Sequence, residues 1–107
     1  MTAAVAAETD ALLRRAIAER RLVRFVFHGA ERVAEPHDYG VRNATVQLLV
    51  YQIGGKSRSG KLPNWRWIVV GEMSGLEVLE KTFAGGRPTA THSRWDQLFA
   101  RVAPGGR

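Results

Sequence analysis

Thr45–Ile53 reads TVQLLVYQI: nine residues, β-branched, aliphatic and aromatic, broken only by two glutamines. That composition fits a pleated strand, not a helix. Its apolar residues fall on both faces, so the strand is expected at the centre of a covered or closed sheet. On its C-terminal side comes Gly54-Gly-Lys-Ser-Arg-Ser-Gly-Lys-Leu-Pro-Asn64, a glycine- and serine-rich loop. Trp65–Val70 (WRWIVV) then has the alternation of a partner strand, with Trp65 and Trp67 on one face and Arg66, Ile68 and Val70 on the other. Loop and strands together make a long hairpin.

Upstream, Thr9–Arg21 has helical spacing, with Leu12, Leu13, Ala16 and Ile17 on one stripe and Thr9 or Asp10 as N-cap. The period then becomes two: Val23, Phe25 and Phe27 alternate with Leu22, Arg24, Val26 and His28. His28–Glu31 reads as a tight turn and Arg32–Glu35 as the returning strand, stopped by Pro36. A polar connection runs through His37, Asp38, Gly40 and Asn43. Downstream, a last strand is expected around Leu76–Leu79. Ser93 and Asp96 have the spacing of a capping box ahead of Trp95, Leu98, Phe99 and Val102, which predicts a closing helix over about 93–103.

The sum is an α+β fold: one domain over residues 1–107, with a small SH3-like or Sm-like β-barrel of about five strands at about 22–80. An N-terminal and a C-terminal helix flank it. A chain of 107 residues, 45% hydrophobic, suffices for one buried core. It has no cysteine, which excludes disulfides and thiolate metal sites and suits a reducing cytosol. With no basic, apolar leader and no apolar run near the roughly 20 residues of a membrane span, a cytoplasmic location is expected. An exposed edge strand would permit sheet-mediated homo-oligomers.

Sixteen Lys and Arg against ten Asp and Glu give a net charge of +6, and the isoelectric point is near 10.8. The charge is unevenly distributed. No acidic residue occurs between Asp38 and Glu72, an interval that holds Arg42, Lys56, Arg58, Lys61 and Arg66. Such a stretch favours a polyanion, because each neutralised phosphate releases counterions.

The order of these features resembles the WYL domain, a small Sm-like or SH3-like barrel found mostly in bacterial transcription regulators. The resemblance runs from about Ala16 to Leu79. Ala16-Ile17 resembles the Ala-Ile pair of the family's entry helix, and Val23-Arg-Phe-Val-Phe27 its first strand. Arg32-Val33 with Glu35-Pro36 resembles its second strand, and Leu48 fits the leucine of the Trp-Tyr-Leu motif. Val46 and Gln47 stand where that motif has Trp and Tyr, and Arg66 is out of register with the family's later arginines. The resemblance therefore implies the barrel and a regulatory role, without carrying the family's ligand contacts onto particular positions. One helix, not a helix-turn-helix, precedes the barrel, as expected of a stand-alone domain.

The residues themselves suggest where a ligand would sit. Gly54, Gly55 and Gly60 permit the positive φ of an anion-binding nest, Ser57 and Ser59 add hydroxyl donors, and Lys56, Arg58 and Lys61 add charge. The spacing is not that of a Walker loop. Tyr51 and Trp65, at the two bases of the loop, are placed to stack bases of single-stranded nucleic acid, with Arg42 and Arg66 in support. The plain alternatives are a solvated hairpin and tryptophans belonging to the core. A binding reading from another class has Arg66, Gln52 and Ser57 holding a small anionic effector in the barrel mouth. Glu35, His37 and Asp38 with a loop serine would lack the nucleophile elbow of a hydrolase. His28, His37 and His92 lack metal-ligand spacing. The sequence thus predicts a non-enzymatic binding module with no metal or cofactor, its partner a nucleic acid or an anionic small molecule.

Overall fold

The computed structural model describes residues 5–55, 61–88 and 94–105. Its elements in chain order are α1 (Ala7–Glu19), β1 (Arg21–Phe27), β2 (Ala30–Arg42), β3 (Thr45–Gly55), β4 (Asn64–Val69), a single 3-10 turn (Val70–Glu72), β5 (Met73–Thr82) and β6 (Gln97–Arg101). The strands form one antiparallel sheet in the order β4-β3-β2-β1-β5, with β6 paired to β2. β4 and β5 lie at the two ends of this path, and among the described residues no ladder joins them. The sheet is open where the sequence suggested a closed barrel of five strands.

Leu13, Ala16 and Ile17 of α1 are buried on the sheet, against Val23, Phe25, Ala34, Tyr39, Leu48, Val50 and Ile68. Each large aliphatic side chain removed from water there contributes about 1.5–3 kcal/mol. The helix starts ahead of the cap expected at Thr9 or Asp10. Ala6 is its N-cap and offers no side-chain bond. Asp10 is drawn instead to Tyr39 and Arg14. The helix ends at Arg20, whose left-handed backbone aims its N–H at the carbonyls of Ala16 and Ile17.

The β1–β2 hairpin turns at His28 and Gly29, both at positive φ (51° and 75°), the geometry that matches the twist of paired strands. β2 does not stop at Pro36. It continues to Arg42 and absorbs the stretch expected as a polar connection. Two features make a proline tolerable there. The register against β3 passes from Pro36↔Val50 to Asp38↔Leu49, so His37 is the extra residue of a bulge. On the opposite edge, β1 pairing ends at Ala34 and β6 pairing begins at Asp38, so Pro36 lies where its missing N–H leaves no ladder bond unmade.

The C-terminal helix expected at 93–103 is absent: its described part is strand β6. Ser93, the expected cap, lies outside the described residues. Asp96 does not cap a helix, because its carboxylate accepts the Ala44 N–H at 2.9 Å. Residues 97–101 fill the open edge of β2, and Arg101 makes two hydrogen bonds to Asp38, at 3.0 and 3.1 Å. An unpaired row of β2 backbone groups outweighs the helical spacing of four apolar residues. β5 is also longer than the segment expected at Leu76–Leu79 and is not the last strand. No helix among the described residues is long and apolar enough to cross a membrane.

Candidate nucleic-acid interface

Alternation along β3 and β4 sorts their side chains as the sequence predicts. Leu48, Val50, Gln52 and Ile68 point into the core and are fully buried. Tyr51, Trp65 and Trp67 share the opposite, outer face, where all three are half-buried. Tyr51 stands directly across from Trp65 in the ladder, their rings 5.0 Å apart and inclined at 62°. Trp67 occupies the next position on that face, opposite Leu49. Its ring lies 5.7 Å from Trp95, which is held ahead of β6 by the Asp96 N–H bond to the Val41 carbonyl.

Two guanidinium groups lie on this aromatic row. The Arg42 guanidinium carbon is 4.0 Å from the Trp67 ring centre, and that of Arg87 is 4.3 Å from the Tyr51 ring centre. Both distances fall well inside the range of cation–π attraction. Arg42 donates to the Gln47 amide oxygen at 3.4 Å, while Gln47 donates back to the Arg42 carbonyl at 3.0 Å. Arg87 makes a two-pronged pair with Glu35: Nε to Oε1 at 2.7 Å and Nη2 to Oε2 at 2.9 Å. The Glu35 side chain is 5% exposed and that of Arg87 47%. The hydrogen bonds that Arg87 donates to Glu35 raise its pKa further, so its charge is fixed.

Beneath Arg87 the bulge residue His37 is buried among aromatic rings, edge-on to Trp65 at 4.8 Å and stacked on Phe83 at 5.6 Å. Its Nδ1 lies 3.0 Å from the Glu35 carbonyl, and the Arg87 backbone N–H donates to its Nε2 at 3.2 Å. An N–H donor aimed at Nε2 requires the neutral ring with its proton on Nδ1. Burial pushes the imidazole pKa below its ordinary value, against the upward pull of the Glu35 carbonyl.

The other residues singled out from sequence are spread apart. Lys56, Ser57, Arg58 and Ser59 lie outside the described residues, as does Gly60. Lys61 is exposed at the approach to β4. Arg66 is half-buried and alternates onto the face of Ile68, away from the tryptophans. Gln52 is fully buried, donating to the Gly54 carbonyl at 3.0 Å and accepting from Arg32 at 3.2 Å. Gly54 stays in the ladder opposite Val33. Gly55 has the positive φ expected of a nest (84°), but a side chain there would strike the Glu31 carbonyl and the Arg32 backbone. The glycine thus admits β2 at close range.

Trp67, Arg87 and Trp95 were not selected from the sequence. Period-two alternation already put Trp67 beside Trp65, so that signal was available. Arg87 sits in an irregular stretch between Gly86 and Pro88, and nothing local connects it to Glu35, 52 residues earlier. Trp95 falls in the stretch whose spacing predicts a helix. Among the described residues no group of three or more His, Asp or Glu is arranged to hold a metal ion. No family model, curated protein or solved structure matches this chain.

Proposed function

We infer that this chain is a non-enzymatic binding domain for single-stranded nucleic acid, with a regulatory role in the cytoplasm. The observation that carries this reading is the outer-face row of Tyr51, Trp65 and Trp67, flanked by the guanidinium groups of Arg42 and Arg87. Aromatic faces interleaved with cations serve sequence-tolerant stacking of bases, because every base has a π-face. The 54–66 loop, with Lys56, Arg58 and Lys61, adjoins Tyr51 and Trp65 in the chain and supplies phosphate contacts. The acid-free interval from Tyr39 to Gly71 supports the same partner.

The finer fold reading, an SH3-like or Sm-like barrel of WYL type, belongs to this proposal. Its support is the entry helix followed by sequential antiparallel strands β1 to β4, with β2 bulged at His37, directly after Glu35-Pro36. The effector reading loses one of its three residues, since Gln52 is committed to Arg32 and Gly54 inside the core.

The test is fluorescence anisotropy of a labelled single-stranded oligonucleotide across a salt series. Neutralising Lys56, Arg58 and Lys61 together is expected to lower the logarithmic salt slope by about two, at roughly 0.7 for each phosphate contact. Absence of binding even at low salt overturns the reading.

A further inference from the structure

Resting on that reading, we propose that Arg42 and Arg87 serve as stacking planes, not phosphate ligands, and that with Trp67 and Tyr51 they receive two successive bases of an extended, unstacked strand. The argument begins with what each guanidinium has left to offer. Arg87 spends Nε and Nη2 on Glu35, whose carboxylate balances its charge and holds the group with its central carbon 4.3 Å from the Tyr51 ring centre. Its side chain is nevertheless 47% exposed. A guanidinium so held has little to give a phosphate, but its outward plane remains a surface for a base. The Arg42 guanidinium lies closer still to its ring, at 4.0 Å, and donates one hydrogen bond to the amide oxygen of Gln47, whose side chain is itself held by the Arg42 backbone carbonyl.

The spacing of the two units sets the conformation of the ligand. Tyr51 pairs with Trp65, so Trp67 is its diagonal neighbour across the β3–β4 ladder. Diagonal neighbours on one sheet face stand roughly 7–8 Å apart. Successive nucleotides of a stacked duplex strand rise only about 3.4 Å. Consecutive bases reach both units only if the strand is pulled out to about twice that rise, with its own stacking broken. Duplex is excluded by the same spacing. Runs of thymine, which self-stack weakly, should be favoured over runs of adenine, as stacking and backbone flexibility govern such preferences.

The experiment measures anisotropy of labelled dT10 and dA10 with the wild type, Arg42→Lys and Arg87→Lys, each over a salt series, with thermal melting to confirm folding. Lysine keeps the charge and removes the plane. Each variant is expected to bind dT10 about tenfold more weakly, within the range of lost base stacking, with the salt slope unchanged. Wild type is expected to prefer dT10 to dA10 several-fold. Wild-type affinity in both lysine variants, or equal binding of dA10 and dT10, overturns the inference while leaving nucleic-acid binding in place. No binding by the wild type removes both. If Arg87→Lys fails to fold because Glu35 is poorly matched, Arg42→Lys decides the matter alone, since among the described residues the Arg42 guanidinium bonds only to an uncharged glutamine.

Discussion

The phenol of Tyr39, buried in β2, donates a 2.6 Å hydrogen bond to the carboxylate of Asp10 on α1. This bond ties α1 to the middle of β2, and Arg14 completes it by donating to the other Asp10 oxygen at 2.9 Å. The Tyr39 hydrogen bond is the chief reason the Asp10 pKa lies below its ordinary value. Burial, reinforced by Asp10, raises that of Tyr39, which therefore stays protonated. Tyr39→Phe is expected to cost about 1.5–3 kcal/mol, as for a lost hydrogen bond to a charged group. Urea denaturation measures it, and a loss under about 0.5 kcal/mol would place the bond among neutral surface contacts. The pH dependence has a definite sign. A lowered carboxyl pKa gives stability that is present above about 3.9, the unfolded value, and is lost as pH falls through the folded one. Between pH 5 and 3 the wild type should therefore lose more stability than Tyr39→Phe.

His37 acts in the same sense as Asp10, but at higher pH. Its folded pKa is lowered because the ring is buried and Nε2 accepts the Arg87 N–H. Above about 6.5 the ring is neutral in both folded and unfolded chains, and pH has no effect through it. Below that value the unfolded chain takes up the proton first, so stability falls as pH falls. Protonation would also turn an acceptor into a donor facing a donor, releasing the 83–88 segment from the aromatic face. Melting temperatures measured from pH 7.5 to 5 should decline, and His37→Asn should start lower and decline less. Equal slopes for the two proteins would show that the buried imidazole is not responsible.

Much of this fold is written in local patterns. Leu13, Ala16 and Ile17 of α1, Val23, Phe25 and Phe27 of β1, and Leu48, Leu49 and Val50 of β3 are buried as their periods say they should be. What the sequence does not display is the fate of β2. Pro36 reads as a stop, and only pairing with β3 and with the distant β6 shows that a bulge at His37 accommodates it. The same open edge converts residues 97–101 from helical spacing to strand, because backbone pairing is worth more than four apolar residues on a short amphipathic turn. At the site, Tyr51 and Trp65 were legible as a pair from their positions at the ends of one hairpin. Arg87 was not, since a residue 52 positions from Glu35 becomes its partner only when the chain has folded.

Ala44 carries a cost that the sequence leaves visible once the hairpin is known. Asn43 and Ala44 form the β2–β3 turn with φ of 54° and 62°. Asparagine tolerates that conformation, but a Cβ there costs roughly 1–2 kcal/mol. Ala44→Gly removes the strain and keeps the backbone N–H that donates to Asp96, while adding the entropy of a freer unfolded chain. The net expectation is a gain of about 0.5–1 kcal/mol, typical of relieving a turn of this type. It is read as a higher urea midpoint at unchanged slope. A lower midpoint would mean that the alanine methyl makes contacts that outweigh its strain.

Gly40 tests the strand assignment of residues 97–101 most directly. It lies in β2 paired with Leu98, and a methyl added there would overlap the Gln97 carbonyl oxygen and come within 2.9 Å of the Leu98 Cα, both backbone atoms of β6. The Trp95 ring stands 3.1 Å away on the same side. Backbone cannot rotate aside as a side chain can, so Gly40→Ala must push β6 from the edge or bend β2. A loss of about 1–3 kcal/mol is expected, the usual result of overpacking. Gly71→Ala is the matched control, because nothing lies within 4 Å of its added methyl, and it should stay within about 0.5 kcal/mol of wild type. If β6 is displaced, amide hydrogen exchange should quicken at Asp96 and Val102, whose N–H groups bind the Val41 and His37 carbonyls. A neutral Gly40→Ala with unchanged exchange would show that β6 does not lie against Gly40 as closely as this pairing requires.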